Sequence, residues 1–287
     1  MSVEKIRKSV SEAYAKAISA ASPSCCKTTR SCCSPDPAAK GSVAELIQYS
    51  KAEILSQPAA AASSFGCGNP LAFSGVREGD TVLDLGSGAG FDLLLASDKV
   101  GIKGRVIGID MTDAMIARAS RNIKAAGVSN VEVRKGLIED LPVESSSVDW
   151  VISNCVINLS PEKSKVFKEI HRVLKPGGRM SISDIVAEEL PDEIRKNNGL
   201  YNSCVAGAIS EKEYMAGLAE AGLINIEVQE RLVFEPVQIK AAFDDEETGL
   251  SQFFHELPES ERQKAFDRLI SQAAGKVWSA KFIAQKP

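Results

Sequence analysis

Apolar residues recur at three- and four-residue spacing at the start of the chain, in Val3, Ile6, Val10, Tyr14 and Ile18, and predict an amphipathic helix over Met1–Ala21. The stretch Ala21–Gly41 has no such period and is rich in Ser, Pro, Lys and Cys, so a flexible connection is expected, followed by a short helix at 42–57. From Asp80 the pattern changes to short apolar runs, Thr81–Leu85, Arg105–Ile109, Val131–Lys135, Val148–Ser153 and Arg179–Asp184. Between them lie helical patterns at Phe91–Val100, Thr112–Ala126 and Ser160–Leu174, the last broken by Pro176, Gly177 and Gly178. Strands that alternate with helices in this way predict an α/β fold, a doubly wound and mostly parallel sheet. Past Asp184 the pattern predicts helices at 191–203 and 210–221, a strand at Ile224–Glu235, a charged stretch at Ala241–Gly249, an acidic amphipathic helix at 257–274 and a last strand at Val277–Gln285.

Charge narrows the partners. The 287 residues carry 34 Lys and Arg against 38 Asp and Glu, net -4, and no basic cluster tracks a phosphate backbone, which argues against nucleic acid. No segment reaches the roughly 18 apolar residues that span a bilayer, and the first helix lacks the compact apolar run of a secretory signal. A cytoplasmic, monomeric protein without a membrane partner is therefore expected. The seven cysteines, Cys25, Cys26, Cys32, Cys33, Cys67, Cys155 and Cys204, are an odd number without an export signal, which argues for thiols kept for chemistry or buried as fillers rather than for a disulfide framework.

The segment Thr81-Val82-Leu83-Asp84-Leu85-Gly86-Ser87-Gly88-Ala89-Gly90 reads as a buried strand running into a turn whose glycines let a ligand approach the backbone. The third glycine arrives one residue early for the dinucleotide fingerprint, which counts against NAD. Asp110 ends the second strand, where a carboxylate can accept hydrogen bonds from the ribose hydroxyls of an adenosine. The runs V-L-D-L-G-S-G-A-G, G-I-D-M-T-D-A-M-I, E-D-L-P and R-V-L-K-P-G-G-R occur in that order over Asp80–Asp184, and this part of the chain resembles the class I methyltransferases. The resemblance implies a Rossmann-like seven-stranded sheet with an N-terminal helical arm and a C-terminal α+β substrate-binding lobe, divided as 1–65, 66–185 and 186–287. It implies S-adenosylmethionine as cofactor, with Gly86, Ser87, Gly88, Gly90 and Asn154 toward the methionine end, Asp110 and Met111 at the ribose and adenine, Ile138 and Glu139 at the adenine edge, and Asp84 and Met115 among the binding residues.

Methyl transfer from a sulfonium needs an aligned lone pair more than acid/base machinery, so the acceptor must be read from the substrate pocket. Cys155 follows Asn154 at the carboxyl end of the fourth strand, where open α/β sheets place ligands. Cys67 sits between two glycines, an odd place for a packing residue, and Cys204 follows the fifth strand where it could cap the same crevice. Three thiolates could trap trivalent arsenic and leave its lone pair free; equally, each cysteine could be a small buried hydrophobe. The runs G-C-G-N-P, S-N-C-V-I-N-L, C-V-A-G-A-I and V-W-S-A-K-F-I-A-Q-K-P resemble the arsenite methyltransferases. That resemblance implies Cys67, Cys155 and Cys204 as arsenic ligands, a redox-active cysteine at Cys32 or Cys33, and thioredoxin or glutathione as reductant. Cys25 and Cys26 receive no catalytic role. Two rivals stand: a methyltransferase of a small organic acceptor such as a quinone precursor, and a cysteine-based binder of soft metals. His171 and His255 give too little material for a triad or a metal cluster and are read as packing or surface residues.

Overall fold

The computed structural model describes residues 2–20, 49–72, 74–190, 195, 201, 204–233, 258, 261, 264, 267 and 275–287. Helix α1 is Val3–Ala20, α2 is Lys51–Ser56 and α3 is Pro58–Ala61. The expected helix at 42–57 starts at Lys51 because Ser50 and Glu53 form a capping box, and the part at 42–48 lies outside the described residues. Pro58, which has no N–H to give, opens α3 at its first turn and separates it from α2.

The repeating unit then runs β1 (Thr81–Leu85), α4 (Phe91–Val100), β2 (Arg105–Asp110), α5 (Asp113–Ala126), β3 (Val131–Lys135), β4 (Val148–Asn154), α6 (Lys163–Val173) and β5 (Leu174–Ala187). Helix α7 (Glu211–Glu220), β6 (Ile224–Val233) and β7 (Val277–Gln285) follow. The seven strands form one sheet in the order β3-β2-β1-β4-β5-β7-β6, parallel except for β7, which runs antiparallel to both neighbours. The α/β expectation holds. The fifth strand is longer than the apolar run Arg179–Asp184 at both ends: Leu174 pairs with Val148 of β4, and β7 pairs with it from Arg179 to Ala187. The helix expected at Ser160–Leu174 runs from Lys163 to Val173, and Ile157–Leu159 before it form a 3-10 turn. The predicted helices at 191–203 and 257–274, apart from isolated positions, and the charged stretch 241–249 lie outside the described residues.

Neighbouring strand residues point to opposite faces, and the core divides accordingly. Leu83, Ile107 and Val151 pack with Phe167 and Ile170 of α6 and Tyr214 and Leu218 of α7. Val82, Val106 and Trp150 pack on the other face with Leu93 and Leu94 of α4. A third cluster lies at the carboxyl end of the sheet, where Val10 of α1 meets Cys67, Cys155, Cys204 and Ile185. Farther along α1, Ile18 packs on Ala89 and Met115 beside the glycine loop. The first helix thus straddles the end of the sheet where the strands deliver their polar residues. No described helix is long and apolar enough to cross a membrane.

Candidate active site

The loop after β1 is built by backbone geometry. Gly86, Gly88 and Gly90 have φ of 68°, 50° and 87°, the left-handed region that costs glycine little. A Cβ at Gly86 would lie 2.4 Å from Cγ2 of Val156, so the turn admits no side chain there. The Gly86 and Ser87 N–H groups donate to the Ile109 carbonyl at 2.8 and 3.0 Å, which ties the turn to β2. Asp110 completes the tie: its Oδ2 accepts from Gly88 N at 2.9 Å and its Oδ1 from Thr112 N at 2.8 Å.

A cleft with roughly 970 Å³ of empty space, open to solvent, lies against this loop. Of the residues expected to hold a cofactor, Asp84, Gly86, Ser87, Gly88, Asp110, Met111, Met115, Ile138, Glu139 and Asn154 all line it. Gly90 does not; it caps α4, with its Cβ position 3.3 Å from the Cβ of Ala119, and serves close helix packing. Two other residues carry more than one duty. The Glu139 carboxylate accepts from Arg7 Nη2 at 3.0 Å and Ser160 Oγ at 2.7 Å. The Asn154 amide is committed to the Cys67 loop: Oδ1 accepts from Cys67 N at 2.8 Å and Gly68 N at 3.2 Å, while Nδ2 donates to Gly68 O at 2.6 Å and Tyr49 Oη at 2.9 Å.

The electrostatics select a cation. Burial, and then the charges of Asp92 and Asp110, push the Asp84 carboxyl well above the usual range. Burial lifts Asp92 to about 6 against the hydrogen bonds from Tyr49 and Asn154. Asp110 is raised by burial despite its backbone donors. The one described basic residue that lines the cleft, Arg7, is already paired with Glu139 and with Glu162. A phosphate would meet three buried carboxyls, whereas a sulfonium and an α-ammonium would compensate them. Ser87 Oγ, buried without a partner among the described residues, adds a polar atom beside the same cleft. The donor set fits S-adenosylmethionine.

The cysteines differ from the expectation of free thiols. Cys67 and Cys155 are joined by a disulfide, their Cα atoms 5.7 Å apart. The physical reason is the Asn154 clamp, which lays the Gly66-Cys67-Gly68 loop on the end of β4 and brings the two cysteines within bridging range. Cys204 is free and buried, and its thiol donates to the Cys155 carbonyl at 2.8 Å. Burial and then Asp184 push the Cys204 thiol up, while a hydrogen bond with Tyr14 opposes them. Cys155 and Cys204 both adopt left-handed backbone, φ 59° and 66°, which costs a non-glycine residue energy and concentrates at functional sites. The three sulfur-bearing segments converge. Cys25, Cys26, Cys32 and Cys33 lie outside the described residues, as does His255; His171 lies against Gly222.

The sequence reading missed four groups. Asp184 has a carboxylate oxygen that lies, with Cys67 Sγ and Cys155 Sγ, in a set whose members are all within 4.8 Å of one another. Burial lifts it to about 7 while Asn158, Ile185 and Tyr214 donate to it. Asp92 was hidden inside an ordinary helical pattern. Arg7 and Tyr14 line the cleft from α1, and nothing in a lone amphipathic helix says which distant site it covers.

Known proteins can now be set beside this geometry. A family model described as a methyltransferase domain matches residues 77–222. An arsenite methyltransferase of Halobacterium salinarum is 44% identical over 233 residues, covering 78% of this chain and 59% of that protein. The human arsenite methyltransferase is 42% identical over 166 residues, 54% of this chain and 44% of that one. The chain therefore spans less than two thirds of the length of these relatives. The crystal structure of an arsenic(III) S-adenosylmethionine methyltransferase from Chlamydomonas reinhardtii superposes with a TM-score of 0.59 at 31% identity, covering 87% of this chain and 73% of that chain. With the glycine loop, the acidic cleft and the seven-stranded sheet in place, the chain belongs to the methyltransferase-domain family, the class I S-adenosylmethionine-dependent enzymes that include the arsenite methyltransferases.

Proposed function

We propose that this chain transfers the methyl group of S-adenosylmethionine to trivalent arsenic held by Cys67, Cys155 and Cys204. The observation that carries the reading is the meeting of those three cysteines at the carboxyl end of β4, with Cys155 itself lining the cofactor cleft. Bound there, S-adenosylmethionine would supply an electrophilic methyl carbon, and the three cysteines would hold arsenic with its lone pair left to take that methyl. The chain positions. Its glycine loop and Asp110 fix the cofactor, and its buried carboxyls favour the sulfonium.

Arsenous acid and three thiols condense to a tris-thiolate arsenic and three waters, so the Cys67–Cys155 bond has to be reduced first. A thiol reductant, thioredoxin or glutathione, belongs to the proposal for that reason. So do the division into a cofactor-binding part at 66–185 and a substrate-side lobe at 186–287, which is supported by Cys204 arriving from beyond β5, and a redox role for Cys32 or Cys33. The test is incubation of reduced protein with arsenite, labelled S-adenosylmethionine and thiol, followed by arsenic speciation, beside serine variants of Cys67, Cys155 and Cys204. Methylated arsenic that the variants fail to make is the expected result. Cofactor binding without methylated arsenic would overturn the assignment and point to an organic acceptor.

A further inference from the structure

One face of α1 carries Arg7, Val10, Tyr14 and Ile18 at three- and four-residue spacing, and each meets a different part of the site. Arg7 ties the helix to Glu139 and Glu162 at 3.0 and 2.8 Å. Val10 packs in the cysteine cluster, and Ile18 packs on Ala89 and Met115 beside the glycine loop. Tyr14 stands between those anchors and lines the cofactor cleft. Its ring meets Phe65, two residues before Cys67, edge to face with centroids 5.9 Å apart, so the phenol has little freedom to swing away. Its hydroxyl is hydrogen-bonded to the Cys204 thiol. Burial, and then Cys204, Asp110 and Asp184, push the phenol well above its ordinary value, which keeps the hydroxyl protonated and a donor.

The Cys204 thiol therefore has two partners of opposite kind. It donates to the Cys155 carbonyl at 2.8 Å and accepts from Tyr14. Its backbone is fixed as well, with φ 66° and an N–H that donates to the Tyr201 carbonyl at 3.1 Å. We propose that Tyr14 is a positioning residue for Cys204: carried into the site by α1, its hydroxyl sets where the Cys204 sulfur lies relative to Cys155 and the cofactor cleft. The catalytic consequence rests on the arsenic reading given above; the contact itself belongs to the free protein. A sulfur that has exchanged its proton for arsenic has nothing left to give the Cys155 carbonyl. The Tyr14 hydroxyl still has its proton to donate, so it is the contact that orients Cys204 once arsenic is held. Methyl transfer demands that acceptor and sulfonium carbon be held in line, and a partner that fixes a ligand sulfur governs that alignment more than it governs cofactor affinity.

Tyr14→Phe keeps the ring and removes only the hydroxyl. In the intact chain with its Cys67–Cys155 bond in place, before arsenite or cofactor is added, the S–H stretching band of Cys204 is assigned by its loss from the infrared spectrum of Cys204→Ser. Accepting a bond from Tyr14 polarises the thiol and strengthens its own bond to the carbonyl, so the band should move to higher frequency in Tyr14→Phe. Val10→Ala loosens the same helix without touching the hydroxyl and should leave the band in place. A band unmoved in Tyr14→Phe, or moved equally by Val10→Ala, would overturn the inference and leave the arsenic assignment untouched. In turnover of the reduced protein, Tyr14→Phe should lower kcat for arsenite methylation about 10- to 100-fold, with the Kd of S-adenosylmethionine within about twofold of wild type. An unchanged kcat, or a loss confined to cofactor affinity, would also overturn it. Absence of methylated arsenic from the wild-type protein would instead defeat the arsenic reading, and the infrared result would still decide the Tyr14 contact.

Discussion

Asn154 gives the sharpest test of how the cysteine site is held. Changing it to Ala strips the partner from two backbone N–H groups and one carbonyl of the Cys67-Gly68 segment, at 2.8, 3.2 and 2.6 Å. Each lost hydrogen bond costs about 1 kcal/mol net, so the reduced protein should lose about 3 kcal/mol, read as a lower denaturant midpoint at unchanged m. The bridged protein should lose less, since the disulfide still fixes the loop. On the proposed arsenic site, the loosened loop would then have to be ordered by arsenic itself, and each 1.4 kcal/mol so spent would weaken arsenite binding about tenfold. Asn154→Asp separates positioning from mere packing. It keeps both acceptor bonds but replaces the donor that now lies 3.3 Å from Asp92 Oδ2 with a second carboxylate. Its defect should therefore be larger at pH 8, where Asp92 is ionised, than at pH 5, because Asp92 sits at about 6. Calorimetric titration of reduced Asn154→Ala with arsenite at wild-type affinity would refute the clamp.

Three further outcomes are expected. Cofactor affinity should rise as pH rises through about 6, as Asp92 ionises and its charge meets the sulfonium; the dependence should be shallower for S-adenosylhomocysteine and should flatten in Asp92→Asn, measured by titration across pH. Asp184 is raised from 3.8 to about 7, so the folded state binds its proton more tightly than the unfolded state; its contribution is fully present below pH 4 and lost as pH rises to 7, by up to about 4 kcal/mol, and Asp184→Asn should flatten that part of the stability profile. Gly86→Ala should abolish cofactor binding, because φ is 68° and its Cβ meets Val156 at 2.4 Å. Gly127→Ala, at φ 69° with nothing within 4 Å, should cost only about 1 kcal/mol in thermal unfolding.

The sheet was legible because its strands are bounded by strong punctuation. Gly86 to Gly90 end β1, and the run from Pro176 to Gly178 marks the turn near the start of β5; apolar runs between such marks can be little else. The ends were less legible where pairing, not propensity, sets them. β5 reaches Ala187 since β7 offers hydrogen bonds along its whole length, and a partner so far along the chain leaves no local mark. The cofactor cleft was readable from its backbone motif, while its electrostatics were not: Asp92 counts as one more helical acid until burial lifts its carboxyl to about 6. The convergence of the cysteines was carried by the resemblance, but their bridge was not foreseen, because an odd cysteine count speaks to redox compartment and says nothing of which loop an asparagine pins to which strand.

The position of β7 has a consequence for how the molecule assembles. Strands β1 to β5 can pair as they are made, each with a neighbour delivered by a short crossover, and the cofactor half needs little more. The outer edge of β5, however, waits for residues 277–285, synthesised long after Ala187. Until they arrive, a nine-residue row of backbone donors and acceptors from Arg179 to Ala187 is open to other chains, and β6 has no strand to join. Premature termination before Val277 should yield aggregates rather than a weakened enzyme, and dependence on chaperones should be greatest in that interval of synthesis.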